Sequence, residues 1–168
     1  NASNCLEDGR IPTRASRCQR AQVFAFTAGD GLPFVIQLSS PEKFWRGLLK
    51  ATGQEALAND DRFRTRDVRI KNYDALCTEF TKVFAAGTRT HWLALLETND
   101  VPSGPINAID EVFADPQVIA LDLRKRLPHR TRGTVSVMGN PVRMSLTPPR
   151  VETAAPELGA NNAELLGE

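Results

Sequence analysis

Ile70, Tyr73, Leu76, Cys77, Phe80, Val83 and Phe84 recur at intervals of three and four residues until Gly87 stops the pattern. That period belongs to one face of an α-helix and not to a strand. The chain must therefore supply an apolar surface for a long amphipathic helix to cover. Val23, Phe24, Ala25 and Phe26 form one short apolar run upstream, and Phe34, Val35, Ile36 and Leu38 form a second. Gly29-Asp30-Gly31 separates them. Two such runs around a Gly/Asp turn predict a β-hairpin, and their nearly continuous apolar character predicts that both faces are covered. Helices packed on a short antiparallel sheet make an α+β fold.

The punctuation extends this reading along the chain. Ser40 is an N-cap candidate with Pro41 at the first helical position and Glu42 at the positive end of the dipole. Phe44, Trp45, Leu48 and Leu49 then share a face, and Gly53 supplies the stop. Residues 56–66 are polar and irregular. Thr88 caps the next helix, before Trp92, Leu95 and Leu96. Val101-Pro102-Ser103-Gly104-Pro105 predicts a rigid loop, with Gly104 a candidate for positive φ. Asn107 is expected to cap a short helix carrying Ile109, Val112 and Phe113, and Asp115-Pro116 restarts the chain into Val118, Ile119 and Leu121. From Leu123 the period becomes two. Leu123, Lys125 and Leu127, then Val135, Val137, Val142 and Met144, predict strands, with turns at Arg132-Gly133 and Gly139-Asn140-Pro141. Thr147 to Pro156 is extended, and Leu165 and Leu166 anchor a short terminal helix. Residues 1–20 are expected to be a polar basic arm, with order beginning near Gln22. Residues 21–146 form a small α+β domain and 147–168 a strap.

Composition removes several function classes. The 168 residues are 41% hydrophobic and 24% charged, which supports a packed core without metals or disulfides. The net charge of +1 gives no bulk attraction to nucleic acid. No apolar run approaches a bilayer span, and no charged n-region with an apolar h-region opens the chain. Cys5, Cys18 and Cys77 include no C-x-x-C pair, and His91 and His129 lie far from them in sequence. A zinc site and a disulfide framework are disfavoured, and a reducing cytoplasm is expected.

Chemistry-bearing residues are few. Cys77 lies on the apolar stripe and reads as core, not as a nucleophile. His91 reads as a surface residue at a helix start. Asp60-Asp61 are adjacent carboxylates that point apart, suited to a cap or ion pair. Arg124, Lys125, Arg126, Arg130 and Arg132 form a basic cluster, read either as a solvated hairpin or as an anion-binding site. No glycine-rich nucleotide loop, nucleophile elbow or zinc-helix motif occurs.

Several segments resemble family III CoA-transferases, the formyl-CoA transferase and carnitine CoA-transferase group. Val101-Pro102-Ser103-Gly104-Pro105-Ile106-Asn107 is similar to that family's G-V-P-x-G-P-V-N. Asp115-Pro116-Gln117-Val118 is similar to its D-P-Q-V. Asp60 to Phe63 with Arg69 and Asn72 resembles D-x-R-F…R…N. Gly139 to Ser145 with Pro148-Pro149 resembles G-x-P-x-R-x-S…P-P. Leu158-Gly159 with Glu164-Leu165-Leu166 resembles the closing segment, although Asn161-Asn162 stand where His-Thr is usual. The order matches from about Ala21 onward.

The resemblance implies the small domain and strap of an enzyme that moves CoA between an acyl-CoA and a carboxylic acid. A large N-terminal domain would hold CoA and a nucleophilic aspartate, and two subunits would interlock. No position here corresponds to that aspartate, so these residues alone are expected to be inactive. They are expected to bind no cofactor of their own, and to work as a homo-oligomer or with a large domain. Arg17, Arg20 and Gln22 fall where the family's substrate-covering loop would lie. An α-methylacyl-CoA racemase fragment, or a non-catalytic dimerisation module burying a Phe24/Phe34 face and the strap, are the alternatives.

Overall fold

The computed structural model describes residues 6, 7, 9, 11, 16–39 and 41–167. It divides into two compact units, residues 1–106 and 107–168. Ser40, the expected cap, lies outside the described residues, as do Arg10 and Arg14 of the arm.

The first unit is built on the hairpin. A short helix α1 (Ser16–Ala21) leads into β1 (Val23–Thr27) and β2 (Pro33–Gln37), paired antiparallel with Phe24 opposite Ile36 and Phe26 opposite Phe34. Helical structure thus begins before Gln22, within the stretch expected to be an arm. Side chains alternate across a strand, so Phe24, Phe26, Phe34 and Ile36 all enter the core, with Phe34 fully buried. The other face is not covered within this unit: Ala25 and Thr27 are exposed and Val23 and Val35 half-buried. That corrects the expectation of two covered faces: the core forms on the phenylalanine side, where Leu76, Phe80 and Phe84 join these strand residues.

Helix α2 (Glu42–Thr52) buries Trp45, Leu48 and Leu49. Pro41, in extended conformation, occupies its N-cap in place of the expected first turn. Gly53 closes it at φ 66°, as the glycine stop requires. The long periodic stripe is divided in two, α3 (Arg66–Lys71) and α4 (Tyr73–Phe84). Asn72 makes the break: its Nδ2 donates to the carbonyls of Val68 at 3.0 Å and Arg62 at 3.2 Å, ending α3. On α4 the buried side chains are Leu76, Phe80 and Phe84. Phe84 is the hub of an aromatic cluster, with ring centroids 4.8 Å from Phe26, 5.0 Å from Phe34 and 5.2 Å from Trp92. Thr88 caps α5 (Arg89–Thr98) by accepting the His91 N–H at 3.2 Å. His91 itself is exposed.

Residues expected to be a loop form a third strand, β3 (Ser103–Pro105), paired with β2 so that Gly104 faces Val35. Gly104 does not adopt positive φ, and a Cβ built on it meets no atom within 4 Å. The expected conformational requirement at Gly104 is therefore absent, because pairing with β2 holds the segment extended.

The second unit contains α6 (Ile109–Ala114), α7 (Pro116–Ala120), the antiparallel hairpin of β4 (Arg124–His129) with β5 (Gly133–Met138), and α8 (Asn162–Leu166). Ala108, not Asn107, is the N-cap of α6, and its N–H is accepted by Glu111 Oε2 at 2.8 Å. Asp115, where the chain was expected to restart, caps α7 by accepting from Gln117 N at 2.7 Å. The hairpin ends at Met138. Val142 and Met144 lie outside any strand, because Pro141 has no N–H to offer a ladder and Asn140 Oδ1 takes the Val142 N–H at 2.8 Å. The one large apolar side chain of this unit that is buried, among the described residues, is Leu127. Ile109, Ile119, Leu146, Leu158, Leu165 and Leu166 are all exposed, so the leucines expected to anchor α8 touch no core here.

Candidate functional site

Gln22 joins α1 to β1 with φ 49°, in the left-handed region that costs a non-glycine residue free energy. It is buried, its Nε2 donates to the Arg66 carbonyl at 3.4 Å, and its own carbonyl accepts the Leu38 N–H at 3.0 Å. Arg66 also ties down the preceding helix, with Nη2 donating to the Arg20 carbonyl at 2.6 Å. Gln22 therefore sets the exit angle of α1, and its amide is turned inward. The Arg17 and Arg20 side chains are exposed on α1.

The Val101–Pro105 segment flanks the same end of β2. The Pro102 carbonyl accepts the Gln37 N–H at 2.9 Å, next to the Leu38–Gln22 bond. Backbone pairing thus brings Gln22 and Pro102 to either side of residues 37–38. Val101 is buried and anchors the segment, while Gly104 and Pro105 line an open cleft of about 450 Å³ with Leu93, Glu97 and Asp100. The cleft has one apolar wall and an acidic rim, and Asp100 is paired with Lys43 at 2.6 Å.

Sequence reasoning passed over Arg69 except as part of a motif. Its side chain is 2% exposed. Nη1 and Nη2 grip the Glu42 carboxylate at 3.2 and 2.7 Å, Nη1 also donates to the Phe63 carbonyl at 2.9 Å, and the guanidinium lies 4.6 Å from the Trp45 ring centroid. The sequence signal was an arginine on an otherwise apolar helix face. Asp60 and Asp61 are parted as expected: Asp60 bonds Arg62, which holds its carboxyl below the usual carboxylate range, and Asp61 pairs with Arg64 at 3.1 Å.

The thiol of Cys77 is half-buried, and that burial pushes its pKa up, so a thiolate nucleophile is disfavoured as the sequence implied. Burial likewise raises the neighbouring Tyr73, whose hydroxyl donates to the Val23 carbonyl at 2.6 Å. Among the described residues no cluster of His, Cys, Asp and Glu could hold a metal, and no helix is long and apolar enough to cross a membrane.

In the second unit Arg124 and Arg126 project from one face of β4, and Arg130 and Arg132 sit at the hairpin turn. Lys125 pairs with Asp122, whereas no described carboxylate pairs with these four arginines. The turn is braced internally. His129 Nδ1 accepts the Thr131 and Arg132 N–H groups, each at 3.3 Å, and Thr131 Oγ1 donates to Glu157 Oε1 of the following segment at 2.6 Å.

The chain belongs to CoA-transferase family III, whose family model matches residues 2–162. It is 32% identical over 98% of its length to the succinate–glutarate CoA-transferase of Agrobacterium fabrum, spanning 41% of that protein. It is 30% identical to the formyl-CoA:oxalate CoA-transferase of Streptomyces avermitilis over 72% of this chain and 29% of the relative. A CAIB/BAIF family protein from Brucella suis superposes with a TM-score of 0.75 at 30% identity, over 99% of this chain and 43% of that one. The chain thus spans less than half the length of these relatives.

Proposed function

We propose that these residues are the C-terminal part of an enzyme that exchanges CoA between an acyl-CoA and a carboxylic acid. Residues 21–146 serve as its small domain and 147–168 as a strap returning to a large domain. The match to CoA-transferase family III over residues 2–162 carries this reading. The exposed Ile109, Ile119, Leu146, Leu158, Leu165 and Leu166 support it. A surface of that kind marks a contact, since isolated proteins seldom leave so many large apolar side chains in water within one small unit.

The division of labour follows from the chemistry. Acyl transfer through a carboxylate needs a nucleophile that forms an anhydride with the acyl group and then a thioester with CoA. No residue of this chain matches the aspartate that the family resemblance assigns to that step. The chain therefore shapes and closes the site. Arg17 and Arg20, exposed on α1, are its substrate-side cations, and Gln22 fixes the direction in which α1 presents them. The assembled enzyme is an interlocked homodimer in the cytoplasm. A dimer that buried the Phe24/Phe34 face is a weaker reading, because both rings are already inside the first unit.

The test is complementation. The chain is co-expressed with the N-terminal portion of the Agrobacterium relative, and CoA transfer from succinyl-CoA to glutarate is followed by chromatography. The reading expects transfer from the pair and none from either piece. Transfer by the 168 residues alone overturns it, as does an inert complex in which both pieces are folded and associated.

A further inference from the structure

The end of the β4–β5 hairpin is held by a histidine whose hydrogen-bonding role is set by its neighbours. The backbone N–H groups of Thr131 and Arg132 both donate to His129 Nδ1, each at 3.3 Å. A ring nitrogen that accepts carries no hydrogen, so the neutral ring keeps its one N–H on Nε2. Nε2 is the nitrogen nearer the following segment, 3.8 Å from Glu157 Oε1. That same oxygen accepts the Thr131 hydroxyl at 2.6 Å. The imidazole side chain is only 10% exposed, and Glu152 to Glu157 and Asn161 border the same cleft. Turn and segment thus share one small network. Nδ1 shapes residues 129–132, the shaped turn aims the Thr131 hydroxyl, and the hydroxyl holds Glu157.

Protonation acts on this network at one atom. It puts a hydrogen on Nδ1, aimed at two N–H groups that then have no acceptor. The Thr131 oxygen, 3.4 Å from Nδ1, accepts at most one long bond in return.

The charges around the ring decide whether the cation is compensated. Glu157 is the carboxylate paired with it, but that side chain is 45% exposed and 3.8 Å is beyond a hydrogen bond, so water screens the attraction. Glu152, on the same segment, is paired with Arg150. Arg130 and Arg132 follow the ring by one and three residues and add like charge. β5, the strand paired with β4, carries no charged residue. Two lost bonds and two neighbouring cations outweigh one screened carboxylate, so the charged ring opens the turn.

We propose that His129 is a proton-sensitive clasp, which seats the segment around Glu157 on the β4–β5 turn when neutral and releases it in mild acid. Resting on the CoA-transfer reading, the released segment belongs to the strap, and acid loosens the strap from the hairpin.

Nitrogen NMR of the 168-residue chain tests the resting state. The chain has two histidines, so His91→Asn leaves one set of ring signals. At about pH 7.5 His129 is expected as the Nε2–H tautomer. An Nδ1–H ring, or the mixture that a free imidazole gives, overturns the proposal. Hydrogen exchange at about pH 7.5 and 5.5, expressed as protection relative to the intrinsic rate, tests the release. Protection at Thr131, Arg132 and the residues around Glu157 should fall at least about fivefold, and the ceiling for one ordinary imidazole over that interval is about tenfold. His129→Asn keeps an oxygen that accepts from the same turn but does not titrate, so its protection should change less than about twofold. Glu157→Gln removes the compensating charge and should bring the fall to the ceiling of about tenfold. Equal falls in the wild type and His129→Asn overturn the proposal, because other groups then carry the response. Unchanged protection in the wild type overturns it. Protection that rises in acid does so as well, because the Glu157 ion pair is then the stronger force. If His129→Asn does not fold, the tautomer and Glu157→Gln still decide. Complementation is independent of these results: transfer without release removes only the clasp, and release without transfer removes only the activity reading.

Discussion

Glu42→Ala tests whether the Arg69 ion pair is a necessity of the core or an ornament. Arg69 is 2% exposed and Glu42 45% exposed, so the two partners see different solvent. Removing the carboxylate leaves a buried guanidinium held only by the Phe63 carbonyl and the face of Trp45. Stranding a buried charge in this way costs about 3–5 kcal/mol when both partners are fully enclosed. Water reaches the vacated Glu42 side, so roughly half of that, about 1.5–3 kcal/mol, is expected. Arg69→Met removes the charge with its demand for a partner, leaving an unbonded Phe63 carbonyl worth about 1 kcal/mol. The double variant Glu42→Ala/Arg69→Met is therefore expected to be more stable than Glu42→Ala alone. Urea unfolding followed by tryptophan fluorescence measures this, because Trp45 stacks on the guanidinium. A loss below about 0.5 kcal/mol for Glu42→Ala, or strictly additive losses in the double variant, would refute the reasoning.

Gly47→Ala should lower the melting temperature, although alanine is the better helix former by about 1 kcal/mol. Its Cβ would stand 2.5 Å from the Asn99 carbonyl oxygen and 2.9 Å from Val101 Cγ2, and a raised melting temperature would contradict that close approach. Gly104→Val should change stability by less than about 0.5 kcal/mol, because the added side chain enters open space on an extended strand. A large loss in a thermal melt would mean that the segment does not pair with β2 as described. Alkaline pH should weaken the fold. Burial raises the Cys77 and Tyr73 pKa values, so the folded state holds these protons more tightly, and the stabilisation is complete below the ordinary thiol and phenol values. It is lost as pH rises through the raised folded values. Urea midpoints measured from about pH 8 to 10.5 should fall, and less steeply in Cys77→Ala. A flat wild-type profile would count against the assignment.

Features decided by nearest neighbours were legible in the chain itself. The stop at Gly53, the cap at Thr88, and the hairpin around Gly29-Asp30-Gly31 depend on the conformational preference of one or two residues and on hydrogen bonds a few positions apart. Alternation along β1 and β2 sets Phe24, Phe26, Phe34 and Ile36 on one face, but the nearly continuous apolar runs pointed to burial of both faces, and only the structure showed that one is covered. The family motifs were readable as short strings whose order survives in one dimension.

Whatever depended on partners distant in sequence was decided only by the tertiary structure. Val101–Pro105 looked like a loop, and pairing with β2, some seventy residues earlier, made it a strand. Gln22 falls where the resemblance puts a substrate-covering loop, yet the contact between α1 and α3 places its amide under Arg66. Arg69 could have been a surface charge until α2 brought Glu42 and Trp45 around it. The hairpin arginines showed their charge in sequence, but the bracing of their turn by Glu157 through Thr131 was decided only by the path of the following segment. Local backbone chemistry determined where helices and turns begin and end. Long-range packing determined which side chains lost their water, and it is that loss which separates a structural arginine such as Arg69 from one free to meet a ligand.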